Sequence, residues 1–286
     1  MTIDRKAKLR DLEFRNDKGE SVLDLKEEYM KLNYLDIDED TIVYRVFSLE
    51  RFLQLLHTNK LVLVKPKLWE DPYENFFLNS KGVLPDGIEV TFEPMREQYY
   101  GQCWTLESEC DGLWKTYSPN HTGIKVKSTV SKLMNALYDV NNPYHQLSYF
   151  IGKVHYVSNE RISDLFNNIT PLLSSGNELS IPNTLLTKRE AFKYENEVRL
   201  LFKAPIEDEI DSSMVRNKWN IKKDIFSINV DPNEILEEVT FHPRMSRDLF
   251  CSLKEVINTL GFNGKVSKSS LYDKPNFRGE FLKNEK

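Results

Sequence analysis

The stretch TIVYRVFSLERFLQLLHTNKLVLV, residues 41–64, decides the fold class. Its first seven residues are mostly β-branched or aromatic and predict a central strand. Ser48 then favours a helix start, and apolar residues recur at spacings of three and four until Asn59, a typical helix end. The apolar run at residues 61–64 predicts a second strand, so the stretch forms a strand, a helix and a strand.

The patterns on either side of this stretch mix strands and helices without regular alternation. Further strands are predicted at residues 99–105, 124–126, 153–157, 197–202, 226–230 and 239–241. Helices are predicted at residues 113–117, 131–138, 159–186 and 246–260, the last with Gly261 as its stop. This mixture predicts an α+β protein. We expect residues 1–40 to form a charged helical N-terminal appendage to a single catalytic-type domain over residues 41–280.

The composition indicates a globular chain with a substantial core, since 40% of the 286 residues are hydrophobic and 12% are aromatic. The 39 basic and 44 acidic residues give a slightly negative field, so contact with nucleic acid requires a local basic patch. Basic residues cluster at residues 5–10, at Lys125, Lys127 and Lys132, and at Arg216, Lys218, Lys222 and Lys223.

The sequence also bears on the compartment. No apolar run approaches the roughly 18 residues that a membrane span requires, and no apolar stretch follows the basic N-terminal residues. Cys103, Cys110 and Cys251 are an odd number without close pairing, which fits a reducing compartment. We therefore expect a cytoplasmic protein without a membrane partner.

Several enzyme classes lack their motifs in this chain. There is no glycine-rich phosphate loop and no nucleophile elbow, which argues against kinases, GTPases and α/β-hydrolases. The five histidines show no paired metal spacing, and Cys103 and Cys110 have no matching ligand pair at a zinc-like distance. We therefore predict no metal site.

The segment at residues 194–202, YENEVRLLF, is the most informative for chemistry. Strand periodicity places Glu195, Glu197 and Arg199 on one face. The opposite, core face would hold Tyr194, Val198, Leu200 and Phe202. Two carboxylates beside a guanidinium are typical of a site that holds a carboxylate with an orienting cation, although a solvated strand edge explains the pattern equally well.

An arginine on the first strand and a set of aromatic residues complete the candidate site. Arg45 lies between Val43 and Phe47, and a buried guanidinium needs either a carboxylate of this protein or a ligand phosphate or ribose. Trp69 and Asp71 lie in a loop with further charged and aromatic residues, and Trp114 and Tyr117 lie on a short helical turn. Aromatic residues beside charged loop residues indicate a cleft that stacks a flat ring.

These residues resemble a known bacterial family, domain of unknown function 2971. The matching motifs are Tyr44-Arg45, Trp69-Glu70-Asp71-Pro72-Tyr73-Glu74, Leu113-Trp114 with Tyr117, His121-Thr122-Gly123, Thr187-Lys188, the run at residues 194–199, and Ser269-Ser270-Leu271. The chain departs from the family pattern at Glu70, where asparagine is expected, and at Phe192, where tryptophan is expected. The resemblance extends over residues 41–277.

The opening strand, helix and strand, with a late glutamate on another strand, also resemble the ADP-ribosyltransferase fold of toxins and of enzymes that modify DNA or RNA. The resemblance implies a mixed β-sheet with flanking helices and NAD as co-substrate. It implies that Arg45 holds the NAD ribose, that Tyr117 supports the nicotinamide pocket, and that Glu197 is catalytic. Glu195, Tyr117 and Arg45 are the further expected catalytic residues, and Tyr44 is a further expected cofactor contact. Trp69, Asp71, Trp114 and Arg199 join the expected cofactor contacts.

In that chemistry Glu197 stabilises the positive charge that develops on the ribose as the nicotinamide bond breaks. Glu195 orients the acceptor or takes its proton, and Arg199 keeps the carboxylates ionised. The expected acceptor is RNA or DNA, and the expected role is that of a toxin in an antiphage or toxin–antitoxin system, with an antitoxin as partner. Transfer of ADP-ribose and simple hydrolysis of NAD both stay open.

Two other functions fit the same residues. Asp71, Glu74, Glu195 and Glu197 would be hard-oxygen ligands in a magnesium-dependent nuclease. A non-catalytic module that binds a nucleotide or a partner would use the same charged cleft without turnover.

Overall fold

The structure, a computed structural model, describes residues 2–75, 78–83, 87–167, 179–205 and 219–275. The helices are α1 (Thr2–Asp17), α2 (Lys26–Lys31), α3 (Leu49–Thr58), α4 (Glu93–Arg96), α5 (Asp111–Tyr117), α6 (Val130–Leu137), α7 (His145–Ser148), α8 (Asn159–Asn167), α9 (Ser180–Leu185), α10 (Pro232–Ile235) and α11 (Arg247–Thr259). Single 3-10 turns lie at Pro66–Leu68, Pro72–Asn75 and Glu190–Glu195.

The strands are β1 (Tyr34–Leu35), β2 (Ile42–Phe47), β3 (Lys60–Val64), β4 (Lys81–Val83), β5 (Glu89–Thr91), β6 (Tyr99–Thr105), β7 (Ile124–Thr129), β8 (Tyr149–Lys153), β9 (His155–Val157), β10 (Thr187–Arg189), β11 (Glu197–Lys203), β12 (Trp219–Lys222), β13 (Ile225–Asn229), β14 (Glu238–Phe241) and β15 (Lys265–Lys268). None of the helices in the described part of the chain is long and apolar enough to cross a membrane.

The predicted strand, helix and strand of residues 41–64 are confirmed as β2, α3 and β3. Ser48 caps α3, because its Oγ accepts the Arg51 amide at 3.4 Å, and Asn59 ends the helix with a φ of 54°. At the other end of the chain Ser246 caps α11, and Gly261 follows with a φ of 86°. The α+β class and the mixed sheet with flanking helices are confirmed as well.

Eleven strands of the described chain form one mixed sheet whose central strand is β6. One path runs in the order β1, β8, β11, β6, β2, β7, β14 and β15, and a second arm continues from β6 through β3 and β13 to β12. In the described part of the sheet, β2 meets β6 through the pair Tyr44 and Thr105, whereas β3 meets it through Val64 and Gly101. The sheet therefore splits along β6.

Both faces of the sheet near β11 are covered. Val198, Leu200 and Phe202 belong to the larger buried cluster. Leu201 belongs to a smaller cluster on the other face, together with residues such as Phe150. Glu197 and Arg199 share the face of Leu201, so two charged side chains lie under the segments that cover this smaller core.

The N-terminal segment packs against the same core as the rest of the chain. Leu9, Leu12 and Tyr29 lie in the larger buried cluster, and the Arg5 guanidinium donates to the Asn33 side chain at 2.9 Å. Strand β1 pairs with β8 in parallel. This is a closer association than the appendage that the sequence predicts, and the boundary at residue 41 stays a prediction.

The single strand predicted at residues 153–157 is wrong. Residues Tyr149–Lys153 form β8 in the large sheet, whereas His155–Val157 form β9, which pairs with β10 in a separate small sheet. Strand β8 is buried on both faces and therefore lacks the alternation that marks a strand in a sequence. The predicted helical region 159–186 contains α8 and α9, and its residues 168–178 lie outside the described residues, as do Arg216 and Lys218 of the basic cluster.

Candidate active site

A cleft of about 260 Å³ opens where β2 and β3 separate from β6. Its walls come from β2, β3, β6, the turns at Pro66–Leu68 and Pro72–Asn75, α5, and the segment from Lys188 to Glu197. The split of the sheet leaves the middle of β6, around Cys103, as the floor. The predicted residues Tyr44, Arg45, Trp69, Asp71, Tyr117, Glu195 and Glu197 all line this cleft.

One wall of the cleft is a buried cluster of three carboxylates and two cations. Lys188 Nζ lies 2.5 Å from Glu197 Oε1, 2.6 Å from Glu195 Oε2 and 2.9 Å from Glu74 Oε1. Arg199 donates from Nε to Glu197 at 2.8 Å and from Nη2 to Glu74 at 2.6 Å. All five side chains are at most 6% exposed. A solvated strand edge, the alternative interpretation of residues 194–202, is therefore wrong.

The carboxyls of Glu195 and Glu197 come together for a reason that differs from the prediction. Glu195 ends the turn Glu190–Glu195 instead of lying on the strand, and Asn196 then adopts a left-handed conformation with a φ of 42° before β11 begins. Asparagine is among the few residues that tolerate this conformation. The placement of Tyr194 on the core face is also wrong, because it lies in the same turn and is 45% exposed.

The two glutamates differ strongly in proton affinity. Burial, and then the hydrogen bond and charge of Glu197, raise the pKa of Glu195 to about 8, against the opposing effect of Lys188. Burial also favours the neutral form of Glu197, but Arg199, the hydrogen bond from Glu195 and Lys188 outweigh it and lower the pKa of Glu197. At neutral pH Glu195 is therefore mostly protonated beside an ionised Glu197.

Charge counting leads to the same assignment. Within the cluster, Lys188 and Arg199 balance two of the three carboxylates, and a third buried anion would lack a counter-charge. A proton on Glu195 makes the five groups neutral. Arg199 thus keeps Glu197 ionised, whereas the prediction that it keeps both carboxylates ionised is wrong for Glu195.

Arg45 is a half-buried cation without a carboxylate partner among the described residues. Its Nη1 donates to the Cys103 carbonyl, its guanidinium lies 5.0 Å from the Phe47 ring, and its buried Nε has no hydrogen-bond partner. Burial lowers the pKa of Arg45. The sequence left two possible partners for Arg45, a protein carboxylate and a ligand. No carboxylate contacts it in the described part of the chain, and Arg45 is one of the residues that line the cleft.

Trp69 joins the cleft to the charge cluster behind it. The Arg199 guanidinium stacks over the Trp69 ring at 4.3 Å. Gly101 of β6 lies against the same ring, since a Cβ at this position would be 2.6 Å from Trp69 Cζ2. Because residue 101 has no side chain, the indole of Trp69 can pack directly against β6.

The other predicted contacts fall into two groups. Asp71 lines the cleft, but its carboxylate is held by Arg189 at 2.7 and 3.2 Å. Tyr117 lines the cleft and is 42% exposed. Partial burial, and then the negative charges of Glu195 and Glu197, raise the pKa of its hydroxyl.

Trp114 and Arg199 are not among the residues that line the cleft. The side chain of Trp114, on α5, is buried and packs edge-on against His242 with 5.0 Å between the ring centres. Arg199 is buried behind the carboxylates. The structure therefore brings neither into position for direct contact with a ligand in the cleft.

Lys188 is the functional candidate that the residue patterns missed. It lies on β10, next to Arg189, and its ammonium packs over the Phe192 ring at 4.7 Å. Burial opposes its charge, but Glu197, Glu74 and Glu195 raise the pKa of Lys188. The sequence could have predicted such a lysine, because the candidate site holds more carboxylates than cations. A buried excess of negative charge needs a cation from another element of the fold.

The same lysine bears on the nuclease hypothesis. Glu74, Glu195 and Glu197 converge on Lys188 Nζ, so an ammonium occupies the place where these oxygens would hold a metal ion. In the part of the chain that the structure describes, no group of three or more histidine, cysteine, aspartate or glutamate residues is placed to hold a metal ion.

Three solved structures have a chain path with a low similarity to this one. DarT of Thermus sp. 2.9 in complex with NAD+ has a TM-score of 0.37 and 11% identity, covering 81% of this chain and 96% of that chain. The same enzyme in complex with ADP-ribosylated ssDNA gives a TM-score of 0.37 and 11% identity, with 82% and 96% covered. The complex with carba-NAD+ gives 0.35 and 10%, with 81% and 96% covered. Because these similarities are low, the function proposed below rests on the side chains of this chain.

Comparison with curated proteins found no match. The sequence model of the family described as "Protein of unknown function (DUF2971)" matches residues 113–200. That match includes Tyr117, Lys188, Glu195, Glu197 and Arg199. The resemblance to this family that the sequence predicts is therefore confirmed for residues 113–200, the part of the chain that supplies most of the charge cluster.

Proposed function

We propose that the chain is an NAD-dependent ADP-ribosyltransferase whose cleft binds the nicotinamide and the adjoining ribose. One observation carries the proposal. Glu195 and Glu197 are two contacting carboxyls whose pKa values are shifted in opposite directions, and they line a cleft with Arg45, which has no carboxylate partner in the described chain. Paired titratable groups whose environments separate their pKa values are typical of acid and base assignments in enzymes.

The size and lining of the cleft suit one half of the dinucleotide. Its volume of about 260 Å³ is at the lower end of small-molecule sites. Tyr44, Trp69, Tyr117 and Phe192 surround it with aromatic surface for a flat ring. Arg45 offers unused donors to a ribose or phosphate oxygen. The adenosine half would extend beyond the cleft.

Glu197 supplies the electrostatic part of the reaction. When the bond between ribose C1′ and the nicotinamide nitrogen breaks, its electron pair leaves with the neutral nicotinamide and positive charge develops on the ribose. An ionised Glu197 stabilises that charge. A carboxylate can accept about four hydrogen bonds, and Glu197 accepts from Lys188, Arg199 and Glu195. It can therefore still accept a hydrogen bond from a ribose hydroxyl.

Glu195 completes the transfer. The acceptor forms a new bond to C1′ and releases a proton, which an ionised Glu195 takes. Because burial and Glu197 raise the pKa of Glu195 to about 8, both its protonated and its ionised forms exist near neutral pH, so a base is present without permanent loss of the cluster's charge balance.

Exposed aromatic rings favour a nucleic acid, RNA or DNA, as the acceptor. Tyr73, Tyr117 and Tyr194 are 46%, 42% and 45% exposed and form an aromatic rim beside the cleft. Tyr73 stacks on Arg189, which holds the cleft residue Asp71, and Tyr194 packs against α5. Exposed aromatic rings beside a site are typical of surfaces that stack single-stranded bases.

The basic cluster of Lys125, Lys127 and Lys132 contributes little to such a contact. Lys125 pairs with Glu109 at 3.1 Å, and Lys127 and Lys132 pair with Glu237 at 3.0 and 2.8 Å. Their charges are therefore largely neutralised within the protein, which leaves the aromatic rim as the main support for a nucleic-acid acceptor.

The test incubates purified protein with NAD labelled in the adenylate part and separate pools of RNA, DNA and cell protein. Wild type is compared with Glu197→Gln and with Glu237→Gln, a surface carboxylate control. Transfer of label to one nucleic-acid pool that is lost only in Glu197→Gln supports the proposal. Label on protein refutes the nucleic-acid acceptor, and magnesium-dependent cutting of nucleic acid without label transfer replaces the transferase with the nuclease.

The same variants test the biological role. A toxin of an antiphage or toxin–antitoxin system is expected to arrest growth when expressed without its antitoxin. We expect arrest by the wild type and by Glu237→Gln, and normal growth with Glu197→Gln. Normal growth with all three at equal expression contradicts the toxin role and leaves the transferase chemistry to the labelling experiment.

A further inference from the structure

Lys188 is the one side chain that contacts all three carboxylates of the cluster. Its Nζ lies within 2.6 Å of both Glu195 Oε2 and Glu197 Oε1, so these two oxygens are at most about 5 Å apart. Arg199, the other cation, contacts Glu197 and Glu74. Within the described cluster, Glu195 is therefore held by its ion pair with Lys188 and by its hydrogen bond with Glu197.

We propose that Lys188 is a positioning residue that holds Glu195 against Glu197 and thereby fixes which of the two carries the proton. Lysine suits this role because an ammonium has three donors that point to different acceptors, and here they have three carboxylates. Arg199 lacks this freedom, since its planar guanidinium is already fixed by Glu197, Glu74 and the Leu185 carbonyl at 2.7 Å.

Other charged and titratable groups also face the two carboxyls. They are Glu74, Arg45 of β2, Cys103 of β6, Tyr117 of α5, Tyr156 of β9, and Arg199 of β11. Burial raises the pKa of the Cys103 thiol to about 12, and burial also raises the pKa values of Tyr117 and Tyr156. These three groups stay neutral at the pH of interest. Removal of Lys188 thus leaves Arg199 as the only cation of the described cluster, in direct contact with Glu197 and Glu74.

The charge balance then predicts the direction of the change. With Lys188, the cluster is neutral when Glu195 alone is protonated. Without it, one guanidinium faces three carboxylates, and two of them must carry protons for neutrality. An opposite charge within about 4 Å commonly lowers the pKa of a carboxyl by roughly one to three units. Loss of the Lys188 charge should therefore raise the pKa of Glu195 further, by about one unit or more.

For catalysis this proposal rests on the transferase function proposed above, because the pH profile of transfer follows the ionisation of Glu195. The decisive variants are Lys188→Met, which removes the charge, and Lys188→Arg, which keeps it. We expect the rise of the transfer rate with pH to move upward by about one unit or more in Lys188→Met, a loss of about tenfold at pH 7. Lys188→Arg should lie closer to the wild type.

A proportional loss at every pH, or an unchanged profile in Lys188→Met, overturns the proposal, because a purely structural lysine lowers activity without moving the pH dependence. A Lys188→Arg profile that matches Lys188→Met overturns it as well. Should Lys188→Met fail to fold, the double variant Glu74→Gln/Lys188→Met removes one charge of each sign. Because this variant keeps the charge balance of the wild type, only the lost contact between Lys188 and Glu195 acts, so we expect an upward shift smaller than that of Lys188→Met, and an unchanged profile overturns the proposal.

A measurement without substrate separates this proposal from the transferase function. Isotope-edited infrared spectroscopy follows the protonated and ionised carboxyl bands of labelled glutamate against pH in the purified protein, with Glu195→Gln identifying the band of that residue. We expect the Glu195 band to titrate at higher pH in Lys188→Met than in the wild type. Absence of NAD cleavage with this shift present refutes only the transferase, whereas an unshifted band refutes the role of Lys188.

Discussion

Replacement of Glu195 by glutamine isolates the proton that the charge cluster holds. Glutamine has the size of a protonated glutamate and still donates a hydrogen bond to Glu197, but it cannot ionise. The pKa of Glu195 is raised from 4.5 to about 8, first by burial and then by Glu197. Between these two pH values the folded wild-type protein keeps a proton that the unfolded chain has lost.

The magnitude follows from that difference in bound protons. Because the folded state binds more protons in this window, raising the pH favours unfolding, and each pH unit lowers the wild-type free energy of unfolding by about 1.4 kcal/mol relative to Glu195→Gln. The relative gain of the variant ends near pH 8, where Glu195 ionises in the folded state too. Over the whole window it amounts to a few kcal/mol, on the order expected for a buried carboxyl.

The assay is urea unfolding followed by circular dichroism at half-unit steps from pH 5 to 9. Glu237→Gln is the matched control, because Lys132 and Lys127 lower the pKa of Glu237, so its contribution to stability changes with pH only below about pH 4.5 and is constant above it. We expect the difference in free energy of unfolding between this control and the wild type to stay constant from pH 5 to 9. A difference between Glu195→Gln and the wild type that is the same at pH 5 and pH 9 would refute the assignment of the proton to Glu195.

Three further substitutions test how the cleft is built. Gly101→Ala places a Cβ 2.6 Å from the Trp69 ring and is expected to lower the free energy of unfolding by about 1–3 kcal/mol in urea titrations. The control Gly112→Ala, whose Cβ has its nearest neighbour at 3.5 Å, should leave the free energy of unfolding almost unchanged. Equal effects of the two substitutions would contradict the packing argument. Arg45→Met removes a half-buried charge that has no carboxylate partner in the described chain, so we expect unchanged or higher stability together with at least tenfold weaker NAD binding by calorimetry. Unchanged binding would remove Arg45 from the site. Asn196→Ala should cost about 1 kcal/mol at its left-handed backbone while Asn196→Gly costs less, and the reverse order in thermal unfolding would refute that conformation.

The sequence predicted those parts of the fold whose signals are local. Strand β6 and the unit of β2, α3 and β3 were predicted because a capping serine, a left-handed asparagine and an uninterrupted apolar run act over a few residues. Strand β8 was missed because burial on both faces removes its alternation. The split of the sheet along β6 depends on which strands pair, and no short stretch of sequence encodes that choice.

The site was predicted by residue type more accurately than by geometry. Glu197 and Arg199 do share a strand face, but Glu195 reaches Glu197 through the turn at Asn196 instead of through strand periodicity. Lys188 was not assigned a role, because its contact with the glutamates arises from the separate small sheet of β9 and β10. Trp114 shows the converse, since an aromatic residue in a matching motif is buried away from the cleft.

Release of nicotinamide from NAD by the purified protein tests the central claim, that Glu197 stabilises the cleavage of the nicotinamide bond. The measurement compares wild type, Glu197→Gln and Glu237→Gln at pH 8, with the melting temperature of each recorded to show that it is folded. We expect release by the wild type and by Glu237→Gln, and a rate lower by about a hundredfold or more in Glu197→Gln. No release by the wild type in the presence of RNA or DNA, or equal release by a folded Glu197→Gln, would contradict the account.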